Sequence, residues 1–208
     1  MAQKSPSTEA RIFAAASKVF LQKGMSGARM QDIADEAGIN KALLHYYYRS
    51  KQKLFEVVFH EAVKRLLVSI QDLVTQKAPL EEKITAICER YITELAHSPY
   101  LPLFVLHEIN QDPGYILDFL QEKQLAGSLE SFFLQVQEAV AAGRIRPIAP
   151  SHLLINMIAL CVFPFVARPL LTPVLKLSPQ ELQQFIEQRK KEVPAFVLAA
   201  LAPTRPQI

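Results

Sequence analysis

Apolar residues recur at the three- and four-residue spacing of an α-helix along nearly the whole chain. Near the start, this spacing predicts one helix over about 8–23, ended by Gly24, and a second over about 29–37, ended by Gly38. The strict alternation of apolar and polar residues that marks a half-buried strand does not occur. The sequence therefore predicts an all-α fold.

A third helix follows the second after a very short turn. Asn40 is a suitable N-cap, and Leu44 and Tyr48 lie one turn apart, so we expect both to pack inward together with Ile39. Two short helices joined by a turn that contains a glycine, here Gly38, form a helix-turn-helix. In this motif the second helix enters the major groove of DNA. The other side chains of the third helix then face outward.

Longer helices account for the rest of the chain. They are predicted over about 51–76, about 79–97, about 114–142, about 151–163 with Ser151 as N-cap, and about 179–201 with an interruption at Pro194. Prolines divide the part between the second and third of these helices. We therefore predict a three-helix domain at 1–50 and a larger helical domain at 51–208.

Basic residues are concentrated in the first quarter of the chain. Residues 1–55 contain nine Lys and Arg against four Asp and Glu, a net charge of +5, whereas the rest of the chain carries −2. A cationic excess confined to the predicted helix-turn-helix is typical of a surface that meets nucleic acid.

Neither the cysteines nor the apolar stretches indicate secretion or a membrane. Cys88 and Cys161 match no CxxC spacing, which argues against a zinc motif and favours reduced core residues. The most apolar stretch, 153–167, is shorter than the roughly 20 residues that a spanning helix needs. We expect a cytoplasmic protein without a membrane partner, and a buried helix or subunit interface at this stretch.

The sequence also argues against an enzyme. His60 and His107 are each followed by Glu, as in the zinc motif HExxH, but the fifth positions are Lys64 and Gln111. A glycine-rich phosphate loop and a GxSxG motif are missing from the sequence. We predict no catalytic residue, no metal and no cofactor.

Aromatic and cationic side chains occupy the outward face of the third helix. A phenol packs on sugar and donates to phosphate oxygen, and this suits Tyr46 and Tyr47. His45 can donate to phosphate in the same way. Lys51 lies at the start of the long helix, where the positive end of the helix adds to a phosphate site. These four residues are predicted phosphate contacts.

Base contacts are predicted at the beginning of the third helix. Lys41 can reach O6 or N7 of guanine, whereas Ala42 and Leu43 suit the methyl group of thymine. Gln31, on the outward face of the second helix, can reach an adenine edge or a phosphate. These residues are the predicted source of sequence preference.

Residues 8–55 closely resemble the N-terminal domain of the tetracycline-repressor (TetR) family of bacterial transcription regulators. The resemblance rests on the stretches TEARIFAAASKVFLQKG and MQDIADEAGINKALLHYYYRSKQKLF, which match in register without a gap. It implies that Gln31, Lys41, Ala42 and Leu43 approach bases and that His45, Tyr46, Tyr47 and Lys51 approach phosphates. It also implies a C-terminal domain that binds an effector and dimerises.

The resemblance implies a small-molecule pocket in the C-terminal domain. Candidate lining residues are Cys88, Tyr91, Phe104, His107, Tyr115, Phe119 and Phe133. Aromatic residues at helical spacing in an all-helical domain are usually part of the core. The sequence does not identify the effector.

Two apolar helix faces would stay uncovered in a single chain, which predicts a four-helix bundle across a two-fold axis. The predicted interface residues are Leu153, Leu154, Met157, Ile158, Cys161, Val162, Leu182, Phe185, Ile186 and Arg189. Such a homodimer places two recognition helices about one DNA turn apart, so that it reads a palindromic site.

Taken together, the sequence predicts a DNA-binding transcription regulator, a repressor that a small molecule releases. One alternative is a regulator of the same shape that a protein partner controls, without metabolite sensing. Another is a helical interaction protein that has lost DNA binding. Leu43 favours the last alternative, because TetR proteins often carry Thr or Ser at this position.

Overall fold

The computed structural model describes residues 7–111, 114 and 125–203, and every regular element within them is an α-helix. The helices are α1 (Thr8–Gly27), α2 (Met30–Ala37), α3 (Lys41–Tyr47), α4 (Lys51–Thr75), α5 (Leu80–His97), α6 (Leu101–Gln111), α7 (Leu125–Ala141), α8 (Pro150–Val166), α9 (Arg168–Val174) and α10 (Pro179–Leu201). The predicted all-α fold is confirmed.

The first compact unit spans Met1–Lys64 and contains α1, α2, α3 and the first half of α4. Its most deeply buried large side chains are Ile12, Phe20, Ile33, Leu44 and Leu54. The Phe20 ring meets the edge of the Phe55 ring, with 5.0 Å between ring centroids. Each of the four helices thus contributes at least one of these buried side chains to the core of the unit.

The bounds of the first three helices follow the sequence pattern closely. Gly38 has φ 63° and ψ 40°, the left-handed conformation that ends a helix, as predicted. Gly24 ends the regular part of the first helix, as predicted, because its φ of 68° and ψ of 177° are not helical. A short further turn to Gly27 follows this kink before α2 begins.

The second compact unit spans Arg65–Ile208, and within it α5 packs against α8 and α10. Its buried apolar residues include Leu80, Ile84, Ile92, Leu95, Phe132, Leu153, Val197 and Leu201. Lys83 is buried among them and donates a hydrogen bond from Nζ to the Val74 carbonyl at 2.8 Å. Burial lowers the pKa of this lysine.

Three predictions about the C-terminal helices need correction. Ser151 is not the N-cap of α8, because the helix begins at Pro150, whose missing N–H costs nothing in the first turn. Pro194 does not interrupt α10, which continues through it to Leu201. The short helix α9 was not predicted. Of the helix predicted over 114–142, residues 125–141 are helical, and most of the earlier part lies outside the described residues.

Among the described residues, no single helix is both long and apolar enough to cross a membrane. Only α8 and α9 together meet that criterion of length and composition, and they are bent by 70° where they join. The same residues contain no group of three or more His, Cys, Asp or Glu arranged to hold a metal ion.

Candidate DNA-binding surface

Helix α3 turns almost all of its side chains away from the core. Asn40 caps it, as predicted, since Oδ1 accepts a hydrogen bond from the Leu43 N–H at 2.7 Å. Leu44 is fully buried and anchors the helix, whereas Ile39 and Tyr48 on either side are half-buried. The outward residues Lys41, Ala42, Leu43, His45, Tyr46 and Tyr47 are all exposed.

Two neighbouring phenols dominate this exposed face. Tyr46 is 82% exposed and Tyr47 is 40% exposed, so neither ring belongs to the core. Their rings stand edge to face at 88°, with 5.6 Å between centroids. This mutual contact restricts both side chains while leaving them accessible, as a surface that packs against sugar and phosphate requires.

The third tyrosine behaves differently. Tyr48 caps the C-terminal end of α3 and is half-buried. Burial raises its pKa first, and the neighbouring Glu9 carboxylate of α1 raises it further. Tyr48 therefore belongs to the support of α3, in agreement with its predicted inward position.

The acidic side chains on α2 are engaged within the unit. Lys23 donates to Asp32 at 2.8 Å and Lys18 donates to Glu36 at 2.6 Å. The hydrogen bond from Lys23 holds the pKa of Asp32 below its ordinary value. Local pairing offsets these negative charges, which would otherwise repel a phosphate backbone.

Gln31 lies on the exposed side of α2, as expected for a DNA contact. Its Nε2 donates to Asp35 Oδ1, one turn further along, at 2.7 Å. This bond holds the amide along the helix surface. To reach a base edge, the side chain has to exchange this internal bond for one with DNA.

Lys51 is half-buried, and its ammonium group is already engaged. The Nζ donates to the main-chain carbonyls of Met25 at 2.8 Å and Ala28 at 3.0 Å. Both carbonyls lie between the kink at Gly24 and the start of α2. A phosphate contact of the kind predicted from the sequence has only the remaining N–H of this group available.

Sequence reasoning missed Arg11. Its Nη2 donates to the Ala37 carbonyl at 2.6 Å and to the Gly38 carbonyl at 3.1 Å. A contact between residues 26 positions apart leaves no trace in helical periodicity. The only available signal was an arginine beside the buried face of α1.

The predicted pocket residues of the second unit differ in burial. Cys88 and Phe104 are buried, Tyr91 and Phe133 are half-buried, His107 is exposed, and Tyr115 and Phe119 lie outside the described residues. Burial raises the pKa of Tyr91 to about 12. The Cys161 Sγ lies 3.9 Å from the Cys88 carbonyl oxygen, so α5 and α8 meet at the two cysteines.

The predicted interface residues divide between the two faces of α8 and α10. Leu153, Met157, Cys161 and Leu182 are buried within the single chain, and Leu154, Ile158, Val162, Phe185, Ile186 and Arg189 are half-buried. The first four have no surface left for a partner, which corrects their assignment. Because residues 153, 157 and 161 form the stripe of α8 that faces α5, the outward stripe is 155, 159 and 163.

Arg189 has an unusual environment among these residues. Its Nη2 donates to the Leu160 carbonyl at 2.6 Å, and its guanidinium lies 5.8 Å from the centre of the Phe185 ring. The buried Nε has no hydrogen-bond partner. Desolvation lowers the pKa of this arginine. Arg189 thus ties α10 to α8 through a main-chain acceptor.

An apolar groove of about 400 Å³ runs along the outward side of α8 and α10. Asn156, Ala159 and Leu160 line it from α8, and Phe196 and Ala200 line it from α10. Elsewhere on α8, Ile155 is 62% exposed and Phe163 is 60% exposed. Large side chains beside small ones provide the knobs and holes that helix packing needs.

Comparison with known proteins identifies the first unit. The family model of bacterial regulatory proteins of the tetR family matches residues 12–58. The HTH-type transcriptional repressor SCO4008 of Streptomyces coelicolor is 42% identical over 71 residues, which are 34% of this chain and 37% of that protein. The HTH-type transcriptional regulator RutR of Escherichia coli O157:H7 is 30% identical over 151 residues, 69% of this chain and 66% of that protein.

Solved structures extend the likeness of fold over most of the chain. The crystal structure of AibR in complex with isovaleryl coenzyme A and operator DNA has a TM-score of 0.63 and covers 95% of this chain and 100% of that chain. At 18% identity, this similarity concerns the fold alone. The chain therefore belongs to the TetR family of bacterial regulators, which are DNA-binding transcription regulators and not enzymes.

Proposed function

We propose that the protein is a homodimeric transcription repressor that binds a palindromic operator in double-stranded DNA and leaves it when a small-molecule effector binds. It acts in the bacterial cytoplasm. In each subunit, α3 lies in the major groove and α2 crosses the backbone.

The exposed face of α3 carries this proposal. Six of its seven residues are exposed, and they combine a cation, small apolar side chains and two phenols. In the proposed complex Lys41, Ala42 and Leu43 approach base edges, together with Gln31 once its internal bond opens. His45, Tyr46 and Tyr47 approach phosphate and sugar, so they set the register without reading the sequence.

A second copy of the chain is the proposed partner of the outward face of α8, α9 and α10. Within the described residues, every Leu, Ile, Val or Phe side chain that is 60% exposed or more lies on these three helices. They are Ile155, Phe163, Leu170, Val174 and Phe196. Exposed apolar clusters of this kind are typical of protein interfaces. A two-fold axis through this face pairs two recognition helices, as a palindromic operator requires.

An effector site in the second unit completes the proposal. The structure of AibR holds both isovaleryl coenzyme A and operator DNA, which supports one fold serving a ligand and DNA. The candidate residues remain those predicted from the sequence. An effector that binds only the conformation in which the two recognition helices do not match the operator spacing shifts the protein toward that conformation. The protein then leaves the DNA.

The proposal predicts salt-dependent binding to duplex DNA. A preferred site is first selected from a pool of random duplexes with the wild-type protein, and the affinity for it is measured over a range of salt concentrations. We expect the logarithm of the association constant to fall linearly with the logarithm of the salt concentration, by roughly 0.9 for each phosphate neutralised. Failure to enrich any site, together with no measurable affinity for random duplexes at low salt, contradicts the proposal.

A further inference from the structure

Two cations of the first unit donate to main-chain carbonyls on either side of α2: the half-buried Lys51 before its start and the exposed Arg11 at its end. Lys51 of α4 donates to the carbonyls of Met25 and Ala28, just before α2 begins. Arg11 of α1 donates to the carbonyls at the other end of α2. The short helix α2 therefore has a cation from α4 before its start and a cation from α1 at its end.

Arg11 is placed where the turn of the helix-turn-helix begins. Its two acceptors, Ala37 and Gly38, are the last residue of α2 and the residue that caps it. A cation at this end is favourable, because the last carbonyls of a helix carry partial negative charge. The guanidinium also approaches the glycine closely, since a Cβ added at Gly38 would lie 3.0 Å from Nη2. The turn and the arginine thus fit one another.

Lys51 makes the corresponding contacts with main-chain carbonyls before the start of α2. The carbonyls that it binds follow the break at Gly24, where the chain changes direction before entering α2. The half-buried ammonium bridges two acceptors at hydrogen-bond distance, so it fixes this connection to the first turn of α4. The direction of α2 is therefore defined by contacts at both of its ends.

The position of the recognition helix α3 depends on these contacts because few of its own side chains are buried. Leu44 is the one buried residue of α3, which follows α2 after the turn at 38–40. One buried side chain holds a helix near the core but does not define its direction. Half-buried Ile39 and Tyr48 flank α3, so its direction is set from both ends, and the turn at its start is held by Arg11.

We propose that Arg11 and Lys51 are positioning residues of the helix-turn-helix. They act by fixing α2 and the turn that leads into α3, and they do not neutralise phosphate. This inference rests on the DNA-binding function proposed above. It assigns Lys51 a different role from the phosphate contact that the sequence pattern predicts.

Charge-removing variants test the proposal. Arg11→Met and Lys51→Met keep an unbranched side chain and remove the donors. We expect each to weaken binding to the selected site at least tenfold, while the salt dependence on random duplexes keeps its wild-type slope. If Lys51 instead contacts phosphate, the slope on random duplexes becomes shallower by roughly 0.9. That result, or wild-type affinity for the selected site, overturns the proposal.

Charge-preserving variants provide the second arm and remain informative if a methionine variant does not fold. Arg11→Lys and Lys51→Arg keep the charge but change the geometry of the donors. We expect intermediate affinity for the selected site, with thermal unfolding confirming a folded protein at the assay temperature. Full wild-type affinity of both variants would show that a positive charge at each position is sufficient for DNA binding and that the geometry of the donors is not required. Lys53→Met is a matched control, because its ammonium is exposed and pairs with Glu56 at 3.2 Å within α4.

A measurement without DNA separates this inference from the proposed function. The Ile39 N–H donates to the Ala34 carbonyl at 3.0 Å, in the turn that Arg11 holds. We expect faster amide hydrogen exchange at Ile39 in Arg11→Met than in Lys53→Met. If wild-type protein binds no duplex, the proposed function fails, while this exchange result still tests whether Arg11 stabilises the turn after α2. Equal exchange in both variants contradicts that stabilisation.

Discussion

At the scale of single residues, the surface of α3 combines two kinds of contact that differ in what they read. A hydrogen bond to a base edge discriminates between sequences, whereas a hydrogen bond to a phosphate oxygen is made on any duplex. Lys41 and Tyr47 are both exposed, and they lie at opposite ends of the same helix. Substitutions at these two positions should therefore separate specificity from affinity.

We predict that Lys41→Ala lowers the preference for the selected site over random duplexes, because it removes a donor to guanine worth about 1–3 kcal/mol of discrimination. Tyr47→Phe removes one phenolic hydroxyl, and we expect it to weaken binding to the selected site and to random duplexes by the same factor. Competition binding with selected and random duplexes measures both ratios. An equal loss on both kinds of duplex for Lys41→Ala would exclude a base-reading role.

At the scale of helices, two side chains fix the start of α10, which begins where the sequence pattern predicts it. Ser178 accepts a hydrogen bond from the Glu181 N–H at 3.3 Å, and Glu181 Oε2 accepts one from the Ser178 N–H at 2.8 Å. This reciprocal pair is a capping box. The hydrogen bonds from Ser178 also hold the pKa of Glu181 below its ordinary value.

We predict that Ser178→Ala lowers the free energy of unfolding by about 1 kcal/mol at neutral pH. Ser151→Ala is the control, because Ser151 lies inside α8 and has no capping role. A lowered pKa in the folded state stabilises the protein above the unfolded pKa of the carboxyl group, and this contribution disappears as the pH falls through the folded pKa. The difference between Ser178→Ala and wild type should therefore shrink in acid, as urea unfolding at several pH values can measure. Equal unfolding of the two alanine variants at neutral pH would exclude the cap.

Caps, stops and buried anchors could be predicted from the sequence, whereas contacts between residues distant in the chain could not. Asn40, Leu44 and Gly38 act within one or two turns of the chain, so the order of residues was sufficient to predict a cap, a buried anchor and a stop. Arg11 acts on the far end of α2, and only the packed unit shows that contact. Likewise, both stripes of α8 are apolar, and periodicity alone did not indicate which of them faces α5.

At the scale of the whole molecule, the proposed homodimer depends on exposed apolar side chains that the single chain leaves uncovered. Phe196 of α10 is 65% exposed and lines the groove beside α8. Leu134 of α7 is 57% exposed and does not line the groove. The two residues are similar in exposure and differ in location, which makes them a matched pair for testing the interface.

We predict that Phe196→Asp shifts the protein from dimer to monomer, because a carboxylate cannot be buried in an apolar interface without a partner. Leu134→Asp should leave the oligomeric state of wild type unchanged. Sedimentation velocity of the three proteins at one concentration measures the masses. A Phe196→Asp protein that sediments at the wild-type mass would remove this face from the interface, and a monomeric wild type would contradict the homodimer itself.

The two native thiols have a practical consequence. Cys88 is fully buried and Cys161 is 2% exposed, and the contact with Cys88 together with burial raises the pKa of the Cys161 thiol. Burial shields both thiols from maleimides and methanethiosulfonates, and the raised pKa of Cys161 disfavours the thiolate that these reagents attack, so the two positions resist labelling in the native protein. A single cysteine introduced at the 82% exposed position of Tyr46 can thus carry a spin label without removal of either native thiol. Pulsed dipolar spectroscopy then gives the separation of the two labels in an assembled pair directly, with and without candidate metabolites.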